Sequence, residues 1–186
     1  MKSIVAKYMS EKKPMILQMW DISKFFDKEM VEDAILTCLK RNVNRKAARV
    51  WYKLNQKTQI KVRTGVGVSE KADVGAVVGQ GTIGGALVSQ AVLDEAVMEH
   101  FSPGEEGEVE YGSVPMAPMM FMDDLINGTN GAREAREASS KVNRLMKERA
   151  LHLNEEKSTY IIMGTREQRE EMRAELEADP MRCGGS

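Results

Sequence analysis

Residues Met116 to Gly128, MAPMMFMDDLING, decide how this chain is read. An apolar run stops on Asp123-Asp124, restarts with Leu125 and Ile126, and reaches Asn127-Gly128, a turn dipeptide. With residues 109–114 before it, the stretch predicts two strands around a break at Pro115. The second strand, 116–122, opens a hairpin whose tip holds two adjacent carboxylates. Two acids on one turn repel each other, and burying them is costly. Asp also favours turns for local hydrogen-bonding reasons, so the doublet alone fits a plain turn as well.

Upstream, Met15 to Asp21 is a short apolar strand after Pro14 that also ends on an acid. Asp27 is placed to cap a helix whose stripe is Val31, Ala34, Ile35, Cys38 and Leu39. A second helix covers Arg45 to Asn55. Thr58 to Thr64 alternates like a strand and leads into a glycine-rich stretch, Gly65 to Gly85. An apolar, buried helix follows over 86–100. Downstream come a helix over 132–150 with Ala135, Ala138, Val142, Leu145 and Met146 on one stripe, a strand over 160–163 and a charged helix over 166–178. The order β, α, α, β, α, β, β, α, β, α predicts an α+β domain, a mixed sheet with helices on one face.

Composition narrows the classes. The 186 residues are 42% apolar and 30% charged, which supports a packed core. Two cysteines, Cys38 and Cys183, cannot make a disulfide scaffold, and His100 and His152 leave little for a histidine metal site. No apolar run approaches the ~20 residues that span a bilayer, and no secretory leader is visible. The expected setting is intracellular, cytoplasm or nucleus, with no membrane and no secretion. The net charge is −1, but Lys40 to Arg63 holds nine Lys/Arg and no acid, with Trp51 and Tyr52 among them. That run suits a phosphate backbone and its bases, and equally a solvated helix face with a lysine-guarded strand edge.

If the first strand pairs beside the hairpin, Asp21, Asp123 and Asp124 converge. Three carboxylates are a donor set for Mg²⁺, and two such ions can clamp the attacking and leaving oxygens of a phosphoryl transfer.

Four segments then occur in order: Asp21 to Asp27 (DISKFFD), Gly79-Gln80-Gly81, Phe121-Met122-Asp123-Asp124, and Leu153 to Thr159 (LNEEKST). Together they resemble motifs A, B, C and D of the reverse transcriptase palm, in the flavour of retroelement and group II intron-type enzymes. The resemblance covers residues 15–164. It implies a polymerase palm, antiparallel-rich with helices on one face, with incomplete fingers and no thumb. Residues 1–14 would be a lead-in, 15–164 the palm with partial fingers, and 165–186 a C-terminal helix and truncated tail.

The resemblance also implies roles. Asp21, Asp123 and Asp124 would hold two Mg²⁺ ions, Mn²⁺ being an alternative. Backbone N–H groups from Ile22 through Ser23, Lys24 and Phe25 to Phe26 would face the triphosphate, with Phe26 excluding a 2′-hydroxyl. One of Phe25 and Phe26 must instead pack in the core. Gln80 and Gly81 would lie against the incoming nucleotide, and glycine there permits close backbone approach. Lys157 would neutralise or protonate the leaving pyrophosphate, or be an ordinary exposed lysine. Arg45, Lys46, Arg49 and Lys53 would contribute the nucleic-acid surface. The partners implied are an RNA template, a DNA primer, deoxynucleoside triphosphates and missing flanking fingers and thumb segments of a larger polyprotein.

The chain departs from the family in having Phe121 where tyrosine is usual and in lacking the Leu-Ser-Pro that commonly follows Gln-Gly. Only 20 residues precede Asp21, and no primer grip or thumb follows. The expected activity is RNA-templated DNA synthesis, weak or absent in the isolated chain. The competing readings are a degenerate palm that binds nucleic acid without chemistry, and an RNA-templated RNA polymerase or cyclase-like relative. Phe26 and Gln80-Gly81 speak against the last.

Overall fold

The computed structural model describes residues 2–23, 25, 31–75, 84–101, 109–111, 114–115, 118–121 and 124–181. They fall into two compact units, residues 1–23 with 96–186, and residues 24–95. The described residues form a mixed α+β structure with six helices and antiparallel strands.

The first unit is built on β1 (Met15–Ser23). Its nine residues alternate strictly beyond Gln18, and both edges are paired. On one edge lies β9 (Asp124–Thr129), from Ile16↔Thr129 to Asp21↔Asp124. On the other lie β11 (Thr159–Met163), paired from Met15↔Met163 to Met19↔Thr159, and β10 (His152–Leu153), paired with Ile22 and Ser23. The outer strand β8 (Met119–Phe121) pairs with β9 as far as Phe121↔Asp124. All of these pairings are antiparallel.

Period-two alternation assigns the two faces. On one, Ile16 clusters with Ala132 and Ala135 of α5 (Ala132–Glu148) and with Met172 and Leu176 of α6 (Arg166–Ala178). Gln18 lies on this same face, 2% exposed, and its amide nitrogen donates to Ala135 O at 2.8 Å and Ser139 Oγ at 3.0 Å. The α5 stripe read from the sequence is the buried one. The terminal helix starts at Arg166 as expected, with a capping box in which Thr165 and Gln168 exchange hydrogen bonds.

Helices do not keep to one face. The lead-in before Pro14 is a helix, α1 (Lys2–Glu11), whose Ile4 and Tyr8 stand one turn apart and pack on Met15 and Val109, on the opposite side of the sheet. Asn127-Gly128 is not a turn either. Both residues lie inside β9, opposite Gln18 and Leu17, and Asn127 is buried. A Cβ on Gly128 would come within 3.1 Å of Val109, so glycine here permits close packing. Phe121 of β8 is paired with Asp124 of β9, at the end of the hairpin expected to carry the carboxylates, and residues 122–123 between them lie outside the described residues. The strands expected around Pro115 are shorter than read: β6 (Glu110–Tyr111) pairs with β7 (Val114–Pro115), so Pro115 sits in a strand and does not break one.

The second unit packs α2 (Val31–Lys40) and α3 (Arg45–Asn55) with the first turns of α4 (Gly85–His100). Val31, Ala34 and Val92 form its core, with Trp51, Tyr52 and Val88 against them. Leu39, expected on the inner stripe, is 40% exposed, because Thr37 takes the third inward position. The helix 85–100 is not uniformly buried: Leu87 is 76% exposed and Met98 50%. The single strand expected over 58–64 is two, β2 (Thr58–Ile60) and β3 (Arg63–Thr64), in a ribbon with β5 (Ala72–Gly75) and β4 (Gly67–Val68). The expected Asp27 cap lies outside the described residues.

Glu95 of α4 pairs with Lys40 of α2, and its carboxyl is held below its ordinary value. The Lys40 hydrogen bond is the largest cause; partial burial opposes it and a bond from Thr37 assists. A depressed carboxyl stabilises the fold above the unfolded carboxyl range and loses that contribution as pH falls through the folded value. Glu95→Gln is therefore expected to lower the urea midpoint at pH 6, with the gap to wild type closing toward pH 3.

Candidate functional site

Asp21 and Asp124 occupy directly opposed positions on adjacent antiparallel strands. Opposed residues point to the same face, with Cβ atoms about 4.5–5.5 Å apart. Alternation puts them on the face away from α5, where Gln18 and Asn127 are not. The Asp21 side chain is 19% exposed, and Asp124 is exposed. Like charges so opposed destabilise a sheet by some tenths to about 1 kcal/mol.

A short turn after β10 closes on Asp21. Asn154 N–H donates to Asp21 O at 2.8 Å, and Asp21 N–H donates to Ser158 Oγ at 3.3 Å. Lys157 and Ser158 N–H both return to Asn154 O. The turn so tied sets Lys157 Nζ 3.5 Å from Asp21 Oδ1. That ammonium is 67% exposed, so the pair is solvent-screened and one cation does not neutralise two carboxylates. Three expected site residues, Asp21, Asp124 and Lys157, thus come together. Asn154 and Ser158 hold the turn through a backbone N–H and a hydroxyl, an arrangement that spacing along the chain did not reveal.

The neighbouring positions divide. Ile22 is 1% exposed and Phe25 3%, so neither offers side-chain surface to a nucleotide. Phe25 packs in the core. Ile22 and Ser23 also share the β10 ladder, which uses backbone groups expected to face a triphosphate. Lys24, Phe26, Gln80, Gly81 and Asp123 lie outside the described residues.

In the second unit, Asn44 caps α3 by accepting Lys46 and Ala47 N–H. Arg45, Arg49 and Lys53 then recur every four residues, about 6 Å apart along the axis, with Lys46 beside them. All four are exposed, and none makes an ion pair with another described residue. Ala48 and Asn55 face inward.

The carboxylate pair fits a hard divalent cation: its donors are oxygens only, and a 2+ charge would offset the repulsion that Lys157 leaves. Among the described residues no group of three His, Cys, Asp or Glu side chains could hold a metal ion; Asp21 and Asp124 are two of the three acids expected.

No protein-family model matches the chain, and no curated protein matches it. Solved structures do. Apo telomerase from Candida tropicalis, truncated from its C-terminal domain, superposes with a TM-score of 0.60 at 12% identity, over 87% of this chain and 34% of that one. Telomerase from Candida albicans in complex with a TWJ fragment of telomeric RNA gives 0.60 at 10% identity, over 86% of this chain and 29% of that one. The Candida tropicalis telomerase complex with the TWJ fragment gives 0.61 at 13%, over 87% and 28%. The chain thus spans about a third of these structures. At such identities the likeness is one of fold. Among the described residues no helix is long and apolar enough to cross a membrane.

With divalent ions chelated, Asp124→Asn is expected to raise the unfolding free energy by a few tenths to about 1 kcal/mol, since it removes the like-charge opposition. Lys157→Ala is expected to lower it by a similar or smaller amount. Urea titration of both variants checks the two signs.

Proposed function

We propose that the chain is a reverse-transcriptase palm that performs RNA-templated DNA synthesis by metal-assisted nucleotidyl transfer. The observation that carries this reading is the opposition of Asp21 and Asp124 across one ladder, with Lys157 against Asp21. The four ordered motifs and the telomerase-like fold support it. Kinship with retroelement and group II intron-type enzymes, and an origin in a larger polyprotein, belong to the same proposal and rest on the motifs alone.

In this reading Asp21 and Asp124, joined by Asp123, hold Mg²⁺ or Mn²⁺. Two such ions, when bound, would acidify a primer 3′-hydroxyl and neutralise the leaving pyrophosphate. Lys157 sits beside Asp21 with its ammonium exposed, so it is free to turn toward a triphosphate as the carboxylate charge is neutralised. Its part is to carry positive charge, or a proton, to the leaving group. Phe26 would reject ribonucleotides by steric clash. Gln80 and Gly81 would bear on the incoming deoxynucleoside triphosphate. Arg45, Lys46, Arg49 and Lys53 would follow a phosphodiester backbone of the RNA–DNA duplex, and the 6 Å recurrence on α3 suits evenly spaced phosphates.

The test combines Mg²⁺-dependent dTTP binding with single-nucleotide extension of a DNA primer on an RNA template. Asp21→Asn and Asp124→Asn are each expected to reduce metal-dependent dTTP binding, and to reduce any extension by about a hundredfold, the scale of losing one electrostatic stabiliser. Lys157→Ala should slow extension more than it weakens binding. Binding or extension that survives both aspartate substitutions contradicts the site. Intact salt-sensitive binding of an RNA–DNA hybrid, without metal-dependent dTTP binding, would make the chain an inert nucleic-acid module instead.

A further inference from the structure

A groove lies in the first unit, at the far end of the sheet from the carboxylates. Met163 is the ladder partner of Met15, six residues before Asp21, so about 20 Å of strand separates the two places. Here the end of β11, the start of α6 and the end of α1 enclose a groove of about 410 Å³. Met9, Ile162 and Met163 supply apolar surface, and Lys12, Arg166 and Arg169 supply three cations. No acid lines the groove among the described residues.

The cations are arranged by the local fold. Gly164 turns the chain from β11 into α6 at φ +139°, where a Cβ would come within 3.3 Å of the Pro14 backbone. Its carbonyl accepts a hydrogen bond from Arg169 Nη1 at 3.0 Å, which fixes that guanidinium at the rim with other N–H groups unspent. Arg166 is held by Glu170 at 2.8 Å. Lys12 follows the last turn of α1 in left-handed geometry at φ 53° and makes no ion pair with a described residue. The first turn of α6 is already capped by Thr165 and Gln168, so binding would rest on these side chains and not on the helix end.

We propose that this groove binds a nucleoside phosphate, free or as the end of a strand. The phosphate would lie among Lys12, Arg166 and Arg169, whose guanidinium forks match its oxygens. The base would lie on Met9 and Met163, since thioethers make favourable contacts with aromatic rings. The volume lies in the range of small-ligand sites. None of these residues belongs to the carboxylate site, so the proposal stands apart from the polymerase reading.

The probe is 2′-deoxyadenosine 5′-monophosphate, titrated calorimetrically into the full chain without divalent ions. It is expected to bind, and more tightly than deoxyadenosine or inorganic phosphate. Lys12→Ala and Arg166→Gln, both at exposed positions, should each weaken it about tenfold, the scale of one charge-assisted hydrogen bond. Asp21→Asn should leave it unchanged. A 5′-phosphorylated oligodeoxynucleotide separates the sources: tighter binding with the same Lys12 and Arg166 dependence marks a strand end, and no gain marks a free nucleotide. The proposal is overturned by absence of binding at millimolar probe, by affinity indifferent to both cation substitutions, or by affinity that falls with Asp21→Asn.

Discussion

Two negative charges face each other across the β1–β9 ladder, and the rest of the first unit is organised so that they do. A sheet gains nothing from such a pair and loses stability to it. A stable fold tolerates the opposition where other pairing outweighs it. Here β1 is hydrogen-bonded on both edges, to β9 on one side and to β11 and β10 on the other. The strand cannot shift to separate the acids without surrendering the sheet.

Register is enforced from the opposite face. A slip of one residue would carry every β1 side chain through the sheet. Gln18, bonded to Ala135 O and Ser139 Oγ beneath α5, would lose those partners, and Ile16 would leave its cluster with Met172 and Leu176. Asp21 would then enter the covered side as a charge without water. The helices thus fix where the carboxylates stand without touching them. The turn through Asn154 and Ser158 adds a second restraint on the Asp21 backbone itself.

Much of this was legible in the chain because its signals are local. The α5 stripe, the β1 run and the α6 start follow from side-chain period and capping residues, which act within one or two turns. Convergence of Asp21 with the hairpin was read from motif order, and the ladder agrees for Asp124. What was missed depends on partners distant in sequence. Asn127-Gly128 has strong local turn chemistry, yet Val109 and Met15 pack against Gly128 and Gln18 pairs with Asn127, so tertiary contacts keep both in a strand. Helix α1 buries Ile4 and Tyr8 with Val5 beside them, too short a stripe to read without knowing that Met15 and Val109 await it. Leu39 fitted the helical period but not the inward face, because Thr37 is buried in its place. Ser158 gave no signal, since a hydroxyl that accepts one backbone N–H has no pattern in sequence.

The likeness to telomerase structures covers most of this chain at 10–13% identity, so what is shared is the fold and not the side chains. Under the proposed function, the opposed acids would be a cost in the apo protein and a cation site in the loaded one. The most direct measurement is site-resolved: backbone amide spectra of the full chain titrated with substoichiometric Mn²⁺, whose paramagnetism broadens nearby signals. Asp21, Asp124 and Ser158 are expected to broaden first, and Asp21→Asn is expected to abolish the effect. Broadening that begins elsewhere, or is indifferent to Asp21→Asn, would contradict the cation site.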